Sequence, residues 1–336
     1  MKTLDSLVEK ALSRRSFLAG AGVVAASAAI TGCSSNSSSV TLPPTTTSAT
    51  TPTDSDYLNY ALNLEYLEAQ FYLYAATGNG LATSDTTGGS ASGYTTTGTV
   101  TVGSAAQVPN LTTAQQEILN EIAFEEQAPV KFLRAALGTA AVAMPDIDLS
   151  FFGPLAVAAT ITTDATGPNA FNPFSSFDYF LVGAFIFEDV GVTAYAGAAP
   201  LISSAGVAAG YLTAAAGILA VEGYHAGYVR TSLTGRAIAA AATGTPYPYV
   251  AAANLVEKLR DSLTVVETSS VETPLVVPAN TSTPSAIVAA NPTTAVGFAR
   301  TVNQVHHIVY GNPTVGAYKG GFFPNGTNSI FAVTTA

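Results

Sequence analysis

The sequence contains the same pair of acidic segments twice, and this repeat constrains the fold more than any other feature. The glutamates that mark the four segments are, in chain order, Glu65, Glu126, Glu188 and Glu222. A tyrosine follows the first and the third by seven residues, at Tyr72 and Tyr195. Arginine at +8 and leucine at +11 follow the second and the fourth. Because seven residues make nearly two turns of an α-helix, each tyrosine shares a helix face with its glutamate. The repeat predicts two similar helix pairs. The tyrosines alone do not indicate a metal site, because tyrosines at this spacing also line ordinary helical cores.

The fourth segment shows why these acidic residues matter. Residues 218–230 are almost entirely apolar or small, yet they contain Glu222 and His225. Residues three apart lie on one face of a helix, so these two side chains point the same way. An unpaired buried carboxylate costs several kcal/mol, and it therefore requires a proton, a charged partner or a metal ion.

Helical periodicity and end signals place the helices of an all-α chain. The predicted helices are 56–72, 112–137, 176–198 and 207–233, with two shorter ones over 249–264 and 295–310. Asp54 or Ser55 is predicted to cap the first of them. Thr112 and Gln115 resemble a capping box at the start of the second.

Long irregular stretches separate these helices. Residues 77–110 are rich in Gly, Thr and Ser, which indicates an inserted loop with a short strand or hairpin over 99–102. Residues 138–175 contain four prolines and indicate a long connection between the second and third helices. We expect 268–296 to be extended and the turn-rich segment 320–326 to fold back on the bundle.

The amino-terminal residues are typical of an export signal. Arg14 and Arg15 precede an apolar stretch over 17–30, which resembles a twin-arginine signal. The stretch ends in a bacterial lipobox-like sequence, Ile-Thr-Gly-Cys, at Cys33. We therefore expect export by the twin-arginine pathway and a lipid on Cys33, which would anchor the protein in a membrane on the periplasmic side of the cell envelope.

The predicted division of the chain follows from these patterns. It comprises a signal peptide over 1–32, a Ser/Thr/Pro-rich tether over 33–53, a helical bundle over 54–235 and a carboxy-terminal extension over 236–336 that packs on the bundle. Hydrophobic residues make up 48 % and charged residues 10 %, which excludes a disordered chain. The net charge of −10 argues against nucleic acid as a partner. A single cysteine excludes intrachain disulfides and thiolate metal cages.

Taken together, these features resemble the ferritin-like superfamily. Residues 63–69, residues 187–195 and the Gly-Gly-Phe-Phe-Pro segment at 320–324 are similar to its branch that includes plant and bacterial desiccation-related proteins. The resemblance implies a four-helix bundle with a long crossover between helices two and three, and 138–175 fits that crossover. It also implies Glu and Glu-x-x-His motifs converging on two metal ions, iron or manganese. Carried onto this sequence, the implied ligands are Glu65, Glu126, Glu188, Glu222 and His225.

One position departs from the pattern of the family. Pro129 lies three residues after Glu126, where the second helix would offer its histidine. Proline cannot bind a metal, and inside a helix it removes a hydrogen bond and clashes with the preceding turn. We therefore expect a kink that frees the carbonyl of Glu125, and a lopsided site of four carboxylates and one imidazole. Glu125 or Glu68 would have to compensate.

Three functions remain open from the sequence. The site binds iron or manganese in protection against stress or desiccation, or it supports an oxidase, peroxidase or catalase-like activity. Alternatively, the site is a metal-free relic in a structural protein, with partly protonated carboxyl groups that hydrogen-bond to each other and to Tyr72 and Tyr195.

Two further sets of polar residues are predicted to lie apart from the site. His306 and His307 are adjacent, and since neighbouring helical residues diverge by about 100°, we do not expect them to share an ion. Arg134 and Arg230 are expected to form ion pairs between helices.

Overall fold

Eight α-helices account for most of the regular structure in the computed structural model, which describes residues 51–103, 106–264, 270–277 and 287–334. Four are long: α1 (Asp54–Thr77), α2 (Thr113–Leu137), α4 (Phe177–Ala198) and α6 (Tyr211–Ala242). Four are short: α3 (Phe152–Ala158), α5 (Ser204–Ala208), α7 (Tyr249–Leu263) and α8 (Val302–Val309). Two short strands are also present, β1 (Val100–Thr101) and β2 (Ile147–Asp148). The all-α prediction is confirmed. The predicted signal peptide, Cys33 and most of the tether lie outside the described residues.

The long helices pack as the two pairs that the repeat predicts. α1 packs most extensively against α2, and α4 packs most extensively against α6. The long connection between α2 and α4 crosses from one pair to the other, as in a ferritin-like bundle. Each pair therefore brings one Glu-Tyr helix beside one Glu-Arg-Leu helix.

The ends of the first two helices show how local sequence sets their start. Thr112 and Gln115 form the predicted capping box, with the Gln115 N–H donating to Thr112 Oγ1. The predicted cap of α1 is wrong, because Thr53 is the N-cap and closes a capping box with Asp56. Asp54 instead accepts hydrogen bonds from the N–H and the hydroxyl of Ser203, which ties α1 to the segment before α5.

Several elements differ from the sequence prediction. α6 begins at Tyr211 and not at residue 207, α8 begins at Val302 and not at residue 295, and the short helix α3 lies within the predicted connection 138–175. The fourth long helix does not end at Leu233 but continues to Ala242, because the alanine-rich residues 237–242 favour helix. The predicted boundary at 235 therefore lies inside α6. The strand near residue 100 does not form a hairpin, since Val100 pairs in parallel with Ile147 and so attaches the inserted loop to the crossover.

The α4 helix is the core of the molecule. The segment Phe177–Leu201 is apolar and long enough to span a membrane, but 83 % of its most apolar window is buried inside the protein. The carboxy-terminal segment folds back over it as predicted, because Phe322 is fully buried and its ring lies 5.0 Å from those of Phe152 and Phe187. The helix is therefore apolar because protein covers it.

Candidate metal centre

Six acidic and imidazole side chains from the four long helices meet in the interior of the bundle. They are Glu65 and Glu68 from α1, Glu126 from α2, Glu188 from α4, and Glu222 and His225 from α6. All six are buried, and the most exposed of them, Glu68, retains only 7 % of its accessible surface. The five side chains that the sequence singled out are thus brought together, with Glu68 as a sixth.

These side chains form two groups that share one member. In the imidazole position, ligand atoms of Glu126, Glu188 and His225 lie within 4.8 Å of one another. In the carboxylate position, the same limit holds for four carboxylates, those of Glu65, Glu68, Glu126 and Glu222. Because Glu126 belongs to both, the geometry is that of two adjacent ion positions with a shared carboxylate.

Pro129 does not turn Glu126 away from this cluster. α2 continues without interruption from Thr113 to Leu137 through the proline, which is itself buried. The Glu126 side chain is only 2 % exposed and faces the other ligands. The proline therefore removes one ligand from the site but leaves the shared carboxylate in place.

The two tyrosines of the repeat cross over between the helix pairs. Tyr72 on α1 donates its hydroxyl hydrogen to Glu188 on α4, and Tyr195 on α4 donates to Glu65 on α1. Each tyrosine thus binds the glutamate of the other pair, although it shares a helix face with its own. Each hydrogen bond fixes one carboxylate oxygen and leaves the second oxygen free to face the cluster.

Several buried atoms of the cluster have no hydrogen-bond partner among the described residues. They are Oε2 of Glu65, Glu126, Glu188 and Glu222, together with Nδ1 of His225. Nδ1 lies 2.8 Å from Glu126 Oε1 and 3.5 Å from Glu188 Oε2, but without the alignment of a hydrogen bond. Unsatisfied buried polar atoms are rare and costly, and here they belong to side chains that meet in two groups. This donor set fits cations, because carboxylates and imidazole are the ligands of iron and manganese.

The electrostatics of the cluster are governed by burial. Burial and the neighbouring carboxylates raise the pKa of Glu65, Glu68 and Glu222 well above the usual range, and burial raises the pKa of Glu188 to about 7. Burial alone would lower the pKa of His225, but the close carboxylates of Glu126 and Glu188 outweigh it and raise that pKa to about 12. The metal-free cluster therefore holds protons that divalent cations would replace.

Glu125 contacts the outer side of the histidine. Its Oε2 lies 2.7 Å from His225 Nε2, and its side chain is 39 % exposed. A carboxylate on one ring nitrogen fixes the orientation of the other, which here is Nδ1 facing the cluster. Glu125 therefore does not replace the missing ligand, but it orients the histidine that is present.

We expect the metal-free protein to lose stability as the pH rises from 5 to 8. The folded-state pKa of Glu188, about 7, lies above its ordinary value of 4.5, so its contribution is full below about pH 4.5 and is lost as the pH rises through 7. The raised pKa of His225 acts in the same direction above about pH 6.5. Urea unfolding of chelator-treated protein should show a loss on the order of 3 kcal/mol. Glu188→Gln should reduce this loss without abolishing it, because the raised pKa of His225 still contributes, and equal stability of the wild-type protein at both pH values would contradict the prediction.

Gly191 makes space for one of the carboxylates. A Cβ at this position of α4 would lie 2.6 Å from Cδ of Glu222. We expect Gly191→Ala to displace that carboxylate and to weaken metal binding by about tenfold or more, measured by calorimetric titration with Mn²⁺. Gly223→Ala is the matched control, because a Cβ there meets no atom of the described residues within 4 Å. Alanine favours helix at both positions, so only a steric effect separates them. Affinity within twofold of wild type for Gly191→Ala would refute this role.

The remaining polar residues lie outside the cluster. Arg230 pairs with Asp189 at 2.7 Å, as predicted for an ion pair between helices. The corresponding prediction for Arg134 is wrong, because its guanidinium donates to the Tyr66 hydroxyl and to the Ser84 carbonyl. None of these three contacts involves a side chain of the metal-binding cluster.

Among the described residues, the adjacent histidines of α8 belong to neither group of candidate ligands. His306 stacks on Tyr310, and burial lowers its pKa to about 3. His307 Nδ1 lies 2.6 Å from the carbonyl oxygen of Asn312. Both are therefore core residues of the carboxy-terminal extension.

Comparison with known proteins agrees with this geometry. The family model for the ferritin-like domain matches residues 53–235, which include all six side chains of the cluster. The chain is 27 % identical to the ferritin-like catalase Nec2 of Nesocodon mauritianus over 289 residues, covering 83 % of this chain and 85 % of that protein. No solved structure is significantly similar to the chain. Because the matched region spans more than half of the sequence, the chain belongs to the ferritin-like family.

Proposed function

We propose that this protein binds two divalent metal ions, manganese or iron, in the buried cluster and disproportionates hydrogen peroxide. The observation that carries the proposal is the set of unpartnered buried ligand atoms on both sides of Glu126. Five ionised carboxylates carry a charge of about −5, of which two divalent ions would offset four. The similarity to a protein described as a ferritin-like catalase supports the choice of peroxide.

The chain's own residues would hold and shape such a site. When bound, the metal pair would relay two electrons from one hydrogen peroxide molecule to another, so that two molecules of peroxide become two of water and one of dioxygen. Glu126 spans both positions, while Tyr72 and Tyr195 each fix one carboxylate by a hydrogen bond. Their contribution is to keep the ligand oxygens preorganised in a buried volume from which bulk water is excluded.

A small cavity beside the cluster favours a small substrate. Its volume is about 20 Å³, and its lining includes Glu68 and Gly191 together with apolar side chains of α1, α4, α8 and Phe322. A volume of this size holds a molecule about as large as water. Hydrogen peroxide is only slightly larger than water, so the cavity supports peroxide as the substrate.

Metal loading followed by oxygen measurement tests the proposal. Protein purified without added metal is treated with chelator, reloaded with Mn²⁺ or Fe²⁺, and analysed for bound metal. We expect about two equivalents of metal, and one dioxygen evolved for every two peroxide molecules consumed. Less than about a tenth of an equivalent after loading would overturn metal binding and leave a structural protein with a relic site. Two bound equivalents with oxygen evolution no faster than that of the free ion would indicate metal sequestration instead.

We further propose that the mature protein is exported and anchored to a membrane through lipid on Cys33. The twin arginine at 14–15 and the lipobox-like residues 30–33 support this location, where peroxide removal would protect the cell envelope under stress or desiccation. We expect Cys33→Ala to move the protein from the membrane fraction to the soluble fraction. Arg14→Lys with Arg15→Lys should block export altogether. Retention of Cys33→Ala in membranes would refute the anchor.

A further inference from the structure

We infer that Glu68 supplies the ligand that Pro129 removes, so that the two metal positions differ in chemistry and select different ions. The inference rests on the proposed metal binding and deepens it. The imidazole position combines one nitrogen with carboxylate oxygens, whereas the carboxylate position offers oxygen alone. The two ions would then be unlike neighbours in one cluster.

The spacing within the repeat supports Glu68 as the replacement for the ligand that is missing at Pro129. In each helix pair, the position three residues after the glutamate faces the site on both helices. The first pair has Glu68 and Pro129 at these positions, and the second pair has Gly191 and His225. Each pair therefore contributes one ligand at +3, but the two pairs contribute it from opposite members. The space at Gly191 is taken by the carboxylate of Glu222.

The surroundings of Glu68 indicate a cation. Its side chain is 7 % exposed, and no Lys or Arg nitrogen among the described residues lies within 4.0 Å of its carboxylate. Instead, its ligand oxygen lies within 4.8 Å of three other carboxylates, those of Glu65, Glu126 and Glu222. Each of those three also has a buried oxygen without a hydrogen-bond partner. Four acidic side chains meeting in this way are stabilised far more effectively by a shared ion than by each other.

Donor chemistry then separates the two positions. Oxygen-only sites suit Mn²⁺ and similar hard ions, while imidazole improves the binding of Zn²⁺ and iron more than that of Mn²⁺. Zinc added to a protein loaded with manganese should therefore replace the ion beside His225 first. The manganese that remains should have oxygen ligands only.

Manganese binding to a matched set of variants tests this assignment. Free Mn²⁺ is counted by electron paramagnetic resonance, and nitrogen hyperfine coupling reports imidazole coordination. We expect two bound Mn²⁺ for wild type, and one for Glu68→Gln with its nitrogen coupling retained. Adding one equivalent of Zn²⁺ to loaded wild type should release one Mn²⁺ and leave a second without nitrogen coupling. Glu121→Gln, an exposed carboxylate on α2, is the control and should bind two.

The outcomes separate this inference from the proposed function. No Mn²⁺ in wild type would overturn the proposed function and the assignment with it. Two bound Mn²⁺ in wild type, with two in Glu68→Gln or with none in a Glu68→Gln protein that unfolds as cooperatively as wild type, would overturn the assignment alone. Nitrogen coupling on the manganese that survives zinc would also overturn it. The zinc experiment uses only wild-type protein, so it tests the difference between the two metal positions even if Glu68→Gln does not fold.

Discussion

Replacing Glu126 by glutamine should empty both metal positions and reduce peroxide disproportionation by at least ~10³-fold. The reason is that Glu126 is the one side chain common to the imidazole and carboxylate positions. An amide is a weaker ligand and carries no charge, so neither position keeps its ligand set. Bound metal after loading and oxygen evolution from peroxide are the two measurements.

The same substitution should stabilise the metal-free protein. Repulsion from Glu126 contributes to the raised pKa values of Glu65, Glu68 and Glu222. The repulsion removed from three carboxylates should outweigh the lost attraction between Glu126 and His225. We therefore expect the free energy of unfolding to rise by ~1–2 kcal/mol in urea titrations without metal. A variant that was simply misfolded would lose stability along with metal. Glu117→Gln, exposed on the same helix, should change neither property, and full activity in Glu126→Gln would refute the shared ligand.

The sequence predicts the bundle and most of the cluster because both depend on short-range periodicity. The spacing of Glu65 from Tyr72 and of Glu222 from His225 is set by the turn of a helix, whatever the tertiary arrangement. Capping chemistry is equally local, and the box at Thr112 was predictable for that reason. The resemblance to ferritin-like proteins then provides the crossover that pairs the helices.

Contacts between helices could not be predicted in the same way. Tyr72 and Tyr195 each share a helix face with the glutamate seven residues earlier. Only the packing of α1 beside α4 determines that each tyrosine instead hydrogen-bonds to the glutamate of the other helix. Glu68 carries a signal in its spacing from Glu65, yet its role appears only when α2 and α6 are placed beside it. The space beside Gly191 on α4 is filled by the Glu222 side chain of α6, so the sequence of neither helix alone predicts this contact.

Arg260→Ala should produce the largest loss of stability, a decrease of about 3–5 kcal/mol in the free energy of unfolding. Arg260 on α7 is 2 % exposed and donates to Glu272 at 2.6 and 2.9 Å. It also donates to Asp189 at 3.1 Å and to the Phe185 carbonyl at 2.6 Å, with its guanidinium 4.8 Å from the Phe185 ring centroid. Alanine would leave two buried carboxylates with fewer cationic partners and a cavity between α4 and α7.

The contacts of Arg260 lie close to the metal centre, so their loss should affect metal binding as well as stability. Asp189 directly follows Glu188, so the arginines that hold it also fix the turn of α4 that carries a ligand. We therefore expect Arg260→Ala to weaken Mn²⁺ binding as well as folding. Arg236→Ala is the matched control, because its pair with Asp178 is 39 % exposed on the arginine side and is worth about 1 kcal/mol at most. Urea unfolding that gave the two variants equal stability would show that burial adds nothing to the Arg260 network. A larger loss for Arg260→Ala with unchanged Mn²⁺ affinity would show that the network stabilises the fold without positioning Glu188.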